Sequence, residues 1–244
     1  MNVICIIPAR LQSTRLPGKL LLPLGDKSIL HHVYSNCKKV SLFSDVIIAT
    51  DSDDIVEHCA LFGAKVIMTG DHHASGTDRV YEAYTINQVI ADLIVNVQAD
   101  EPFLYSEYIE SIIHSHIKND VDVCTGVSFF KDTEEILSSA SVKVVTDQQD
   151  IAMYFSRSPI PFFRDELEFN LKAYKKHIGI YSYKEHTLKC FTELKESNYE
   201  SIEKLEQLRL MENGKRFLCV PIEYDGFGID TMHDYQRAFQ RLQA

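Results

Sequence analysis

The sequence predicts an α/β protein: a doubly wound, mostly parallel sheet carrying a smaller antiparallel lobe. Two observations carry that prediction. Through the first half, short apolar runs alternate with amphipathic stretches, the pattern of strand–helix–strand units stacked on a parallel sheet. After Phe130 the apolar runs are separated by loops too short for crossover helices, apart from the stretch around Pro159 to Lys176, so pairing there is expected to be antiparallel.

Each element follows in order. Val3 to Ile7 is the first strand, and Ser28 caps a helix from Ile29 to about Lys39. Val46 to Thr50 is a strand, and Asp53 opens a helix to Phe62 that Gly63 stops. Val66 to Met68, Leu93 to Val97 and Val121 to Val127 are further strands. Thr77 begins a helix to about Asn87, and Ser106 to Lys118 forms another, with Ile109, Ile112, Ile113 and Ile117 on one face. Val142 to Thr146, Ile151 to Arg157 and His177 to Tyr183 are the antiparallel strands. Glu200 to Asn213 returns to helix, Phe217 to Ile222 is a strand, and Thr231 to Leu242 is the closing helix, with Asp230 as its N-cap. No linker divides the 244 residues, which are expected to form one domain with residues 131–200 contributing the lobe.

Composition narrows the function. Lys and Arg number 25 against 35 Asp and Glu, a formal charge of -10, so the long-range field repels polyanions and excludes a general nucleic-acid coat. Any phosphate ligand must then be held by cations gathered locally. Phe and Tyr, 13 and 12 in number, add to many Val, Ile and Leu in offsetting chain entropy, which disfavours disorder. No run approaches the roughly 18 apolar residues of a membrane span, and the stretch from Met1 to Pro8 is too short for the apolar part of a signal peptide. A cytoplasmic location is expected. Cys5, Cys37, Cys59, Cys124, Cys190 and Cys219 are widely spaced with no C-x-x-C pair, which describes reduced core thiols.

The chemistry concentrates in three places. Arg10, Arg15 and Lys19 lie within ten residues of a small, turn-forming loop after the first strand, where open α/β sheets bind ligands. Arginines can grip phosphate oxygens as a fork, while Lys19 is a mobile point charge suited to a reacting phosphoryl group. Neither GxxxxGK[ST] nor GxGxxG is present. Asp100 and Glu101 end an apolar strand, and Asp230 lies in a Gly-rich turn; hard cations such as Mg²⁺ take a few such carboxylates and complete their shell with water and phosphate. Ser75 and Gly76 open a helix whose amides can receive a phosphate or ring carbonyl. Neighbouring His72 and His73 lack a third soft ligand at metal-binding spacing. On the residues alone, Arg157, His177, Tyr181, Glu206, Gln207 and Arg209 are polar groups at the ends of apolar segments.

The motifs IIPARLQSTRLPGK, ATDSDDI, SGTDR, VNVQADEP, VKVV, YFSRSPIP, HIGIYSY, LEQLR and GIDT occur in that order over nearly the whole chain. Together they resemble the 3-deoxy-manno-octulosonate (Kdo) cytidylyltransferases, Mg²⁺-dependent enzymes of lipopolysaccharide synthesis with a Rossmann-like nucleotidyltransferase fold. The resemblance implies transfer of CMP from CTP to the anomeric 2-hydroxyl of an eight-carbon sugar acid, by a homodimer. It implies that Lys19, Arg10 and Asp100 are catalytic and that Arg15 helps hold the triphosphate. By the same resemblance Ser75, Gly76, Arg79 and Gln98 surround the nucleotide, and Asp100 and Asp230 hold Mg²⁺. Arg157, His177, Tyr181, Glu206 and Gln207 fall on the sugar-acid side. The dimer surface is expected in Arg157 to Tyr183, near Phe155, Phe162, Phe163, Phe169 and Tyr174. One departure stands out, since the family has Gly in QGDEP where this chain has Ala99. Two other readings remain open: a cytidylyltransferase for 8-amino-Kdo or a nine-carbon sialic-type acid, and a non-catalytic nucleotide-binding protein.

Overall fold

Strand β1 (Val3–Ala9) places Ile4 and Ile6 in one apolar cluster and Val3, Cys5 and Ile7 in the other, so both faces of the sheet are covered. The structure is a computed structural model and describes residues 1–13, 15–73, 75–165 and 170–243. β1 runs parallel to β4 (Phe43–Thr50) and β6 (Leu93–Val97), and β5 (Lys65–Met68) lies parallel beyond β4. On the other side of β6 the direction reverses. β10 (Lys175–Lys184) lies antiparallel between β6 and β7 (Val123–Phe129), and β11 (Phe217–Pro221) runs parallel to β7 at that end. Strands β8 (Lys143–Thr146) and β9 (Ala152–Ser156) join as an antiparallel extension, β8 pairing with both β10 and β9. The antiparallel part is thus continuous with the main sheet through β10. A small hairpin, β2 (Pro23–Leu24) with β3 (Lys27–Ser28), stands apart.

Helices cover the two faces. On one pack α1 (Ile29–Lys38), α2 (Asp53–Ala60), α4 (Ser106–Lys118) and α9 (Met232–Gln243), through residues such as Val33, Ile55, Ile112 and Ala238. On the other pack α3 (Gly76–Asn87), α6 (Glu185–Glu193) and α8 (Gln207–Glu212), through Val80, Phe191 and Leu208. The expected cap at Ser28 forms, accepting from His31 N, and α3 starts one residue before Thr77 with Ser75 as its cap, accepting from Asp78 N. All six cysteines are free, five of them buried and Cys190 half-buried.

Four expectations need correcting. The helix expected over Glu200 to Asn213 is two short helices, α7 (Asn198–Glu203) and α8, because Lys204 adopts a left-handed conformation at φ 53° that ends the first. Ile117 is exposed, since the apolar stripe of α4 ends at Ile113 as far as the core is concerned. Phe155 lies fully buried in the main core against Phe217 and His177, so it cannot serve a dimer surface. α6 and the short α5 (Thr133–Leu137) arise where no helix was expected. Phe169 lies outside the described residues.

Candidate active site

The site forms where β1 and β6 end. The basic loop leaves β1, and Gly18, at φ +64°, donates its N–H to the Leu11 carbonyl to close it. That closure delivers Lys19 at the start of a 3₁₀ turn, Lys19–Leu21. Lys19 Nζ meets Asp100 Oδ2 at 2.5 Å and Asp230 Oδ1 at 2.8 Å. Arg15 Nη2 meets the other Asp230 oxygen at 2.9 Å. Two carboxylates from distant parts of the chain therefore converge on one ammonium. Burial works to lower the Lys19 pKa, but Asp100 and Asp230 outweigh it and the net shift is upward. Burial likewise raises that of Asp230, and Lys19 with Arg15 pulls it below the usual carboxylate range.

The Asp230 loop is pinned to the strand end by the Ile229 N–H, which donates to the Asp100 carbonyl at 2.9 Å. Gly228 has no room for a side chain there: a Cβ would come within 3.1 Å of Glu101 Oε1. Glu101 receives the Tyr224 hydroxyl, and burial followed by the charge of Asp100 pushes its pKa up to about 7. Asp230 is not the cap of α9, a correction with a plain cause. Thr231 Oγ1 takes the Asp234 N–H, and the Asp234 carboxylate returns a bond to Thr231 N at 2.8 Å, which frees Asp230 to face the cations.

A cleft of about 740 Å³ opens beside this cluster. Gln98, His177, Tyr181, Glu206, Gln207 and Arg157 all line it, together with Arg15 and Asp230. His177 is buried against Phe155 and Tyr181 and bonds Thr125 Oγ1 at 2.9 Å, and burial pushes its pKa down to about 3, so it is neutral. The Tyr181 hydroxyl donates to Gln207 Oε1 at 3.3 Å. Gln207 Nε2 is buried with no hydrogen-bond partner among the described residues, an orphaned donor at the cleft wall. Thr77 Oγ1 donates to Glu206 at 2.8 Å; burial raises the Glu206 pKa despite this bond and one from Ser75. Arg157 is partly committed: its guanidinium donates to the carbonyls of Glu203, Ser139 and Lys204. Three of its five N–H groups are used and two have no partner among the described residues.

Two other expected residues are placed differently. Arg79 is fully buried, bonding Asp51 at 2.7 Å and Thr69 at 2.6 Å, so it braces the protein interior and does not reach the cleft. Arg10 donates to the His73 carbonyl. Ser75 and Gly76 form the start of α3, with Ser75 Oγ occupied by Asp78. His73 pairs with Glu82 and His72 lies against His73, and no cluster of three or more metal-ligating side chains exists among the described residues. Lys143, Thr77 and Asn96 shape the site without having been expected there. Thr77 bonds Glu206 and Asn96 bonds Thr77, partners well separated in sequence, whereas Lys143 bonds the nearby Ser138 and Ser141 carbonyls and that of Arg157; the lysine within the apolar run Val-Lys-Val-Val was the one signal.

The donor set fits Mg²⁺. Two hard carboxylate oxygens already share one cation, and a triphosphate and water can complete an octahedron. A basic loop folded over a strand-end carboxylate, Asp100, and a second, Asp230, from the loop before α9, at the carboxyl edge of a doubly wound sheet, defines a nucleotidyltransferase. Residues 4–217 match the family model described as cytidylyltransferase. The chain is 41% identical to the 3-deoxy-manno-octulosonate cytidylyltransferase of Chloroherpeton thalassium, over 96% of this chain and 95% of that one. It is 39% identical to that of Geobacter sulfurreducens over the full length of both. A solved CMP:2-keto-3-deoxy-manno-octonic acid synthetase complexed with CTP superposes with a TM-score of 0.92 at 34% identity, covering 100% of this chain and 99% of the other. The chain belongs to the 3-deoxy-manno-octulosonate cytidylyltransferase family.

Proposed function

We propose that the protein transfers CMP from CTP to the anomeric 2-hydroxyl of Kdo, giving CMP-Kdo and pyrophosphate for lipopolysaccharide synthesis. The observation that carries this reading is the meeting of Asp100 and Asp230 on Lys19 beside a polar cleft with room for a sugar acid. Transfer of this kind needs in-line positioning and neutralisation of charge, with little covalent work by the protein. Lys19 and Arg15 supply fixed positive charge to the triphosphate, and Arg10 is released from the His73 carbonyl to join them. Mg²⁺ held by Asp100 and Asp230 would neutralise phosphate charge and ease loss of the sugar hydroxyl proton. Gln98 and the start of α3 border the nucleotide. Neutral His177, Tyr181, Gln207 and Glu206 orient the sugar hydroxyls, and the two open N–H groups of Arg157 meet its carboxylate. The assembled Lys19, Asp100 and Asp230 argue against a non-catalytic binder.

A homodimer built on the segment Arg157 to Tyr183 belongs to the same proposal. Phe162 is 87% exposed, while Phe163 packs on Tyr174 at 5.7 Å beside Phe130 and Ile136. No helix among the described residues is long and apolar enough to cross a membrane, in keeping with the cytoplasmic site proposed for the enzyme. The test is pyrophosphate release from CTP and Mg²⁺ with a panel of sugar acids. Kdo should be the preferred acceptor. Equal or better turnover of a nine-carbon acid overturns the substrate, equal turnover of 8-amino-Kdo moves it to that analogue, and no release with any acid overturns the activity.

A further inference from the structure

Lys143 on β8 is fully buried and stands behind the cleft, outside its lining. Its Nζ donates to the carbonyls of Ser138 at 2.8 Å, Ser141 at 2.7 Å and Arg157 at 2.6 Å. Three acceptors need three N–H donors, which only the ammonium form supplies. A positive charge is therefore enclosed in the wall. Burial, then the nearby Arg157, holds the Lys143 pKa below the usual lysine range, and Glu203 opposes this. Glu203 is the carboxylate of the group, accepting from Ser156 Oγ at 2.6 Å and from Arg157 N at 2.9 Å. Within this group Lys143 and Arg157 exceed Glu203 by one positive charge, with Glu134, Glu135 and Glu206 also along the cleft. Burying such a charge is costly unless an anion reaches it. The wall it sits in, Ser138, Ala140, Ser141 and Val142, faces the cleft directly, as does Arg157.

We propose that Lys143 is a specificity-determining residue that acts through this wall and through Arg157, its enclosed charge selecting an acceptor with a carboxylate over a neutral sugar. The inference rests on the sugar-acid reading of the cleft and deepens it. Lys143 touches no substrate. It orients the Arg157 backbone and loads the wall with charge that a neutral ligand cannot use.

The experiment is equilibrium titration of Kdo, and of its neutral carboxamide, into the parent protein and Lys143→Met, with pyrophosphate release followed in parallel. A unit charge acting through a protein wall at intermediate dielectric predicts that the variant loses about tenfold in affinity for Kdo. The carboxamide should bind parent and variant alike, and the KM for CTP should be unchanged. Equal losses for acid and amide, or no loss for the acid, overturn the proposal. If Lys143→Met does not fold, Glu203→Gln serves instead. It adds a net positive charge and should tighten the acid several-fold without affecting the amide, and an unchanged acid affinity overturns the proposal. A parent that binds Kdo and releases no pyrophosphate refutes the catalytic reading alone, because the titrations still read the charge effect.

Discussion

Asn36 on α1 donates its Nδ2 hydrogen to the Pro102 carbonyl at 2.8 Å, a buried bond that ties the first helix to the turn following Asp100. That carbonyl has no water to turn to. Asn36→Ala is expected to cost about 1–3 kcal/mol through the orphaned acceptor. Asn36→Asp should cost more, since a carboxylate there can only repel the carbonyl. Thermal unfolding of both variants measures the order, and an Asp variant more stable than Ala would refute it.

Lys19→Ala is expected to slow the chemical step by on the order of 10² to 10³, because a preorganised charge donor is lost. CTP binding should suffer less, with Arg10 and Arg15 still present. Lys19→Arg should rescue only in part, a planar fork being a poor substitute for a compact ammonium. Single-turnover kinetics separates the steps, and normal chemistry with weakened CTP affinity would contradict the assignment.

Asp100→Asn and Asp230→Asn should each raise the Mg²⁺ concentration needed for turnover, since an amide keeps the size and loses the charge. Chelation with EDTA should abolish activity in the parent. Normal Mg²⁺ dependence in both variants would reduce these residues to partners of Lys19.

Stability should fall as the solution is acidified below about pH 6.5. His116 is buried between Ser182 Oγ, at 2.8 Å, and the Val121 carbonyl. Burial pushes its pKa down to about 4, the Val121 carbonyl opposing. An unfolded histidine titrates near 6.5, so the unfolded chain takes the proton first. The stabilisation is complete above that pH and is lost as the pH falls toward 4, an effect on the order of 3 kcal/mol. His177 extends the loss toward pH 3. Urea unfolding at pH 7 and pH 4.5 should show a smaller acid loss for His116→Gln than for the parent; equal losses would overturn the attribution.

Phe162→Glu should shift the protein toward monomer, because a charge placed on a largely exposed aromatic cannot be buried between subunits without cost. Light scattering at micromolar concentration reads the mass. A parent that is already monomeric would refute the dimer.

What the sequence made legible was local. β6 was readable as an apolar run, and Ser28 as a cap, because strand burial and capping are decided within a few residues. Non-local partners were not readable. The resemblance set Arg79 beside the nucleotide, and nothing in the sequence announced its buried bonds to Asp51 and Thr69 from another part of the sheet. Asp230 and Thr231 are both capping types, and only the position of Asp234 decided between them. The break at Lys204 carries no glycine to announce it. The convergence of Lys19, Asp100 and Asp230 was anticipated only through the resemblance, as spacing alone says nothing of a contact between residues 19 and 230.

The position of β10 governs how the chain can assemble. β6 and β7 are consecutive parallel-sheet candidates, yet they never touch as partners; β10 separates them and bonds to both. A nascent chain emerging as far as Phe129 therefore carries two unsatisfied strand edges in the middle of its future sheet. They must stay open until Lys184 has been synthesised and the late strand slots between them, a pairing that spans 83 to 91 residues to β6 and 46 to 60 to β7 and slows folding accordingly. Open edges of that kind are prone to pair with other chains, so the same strand that lines the cleft is also what closes the sheet against aggregation.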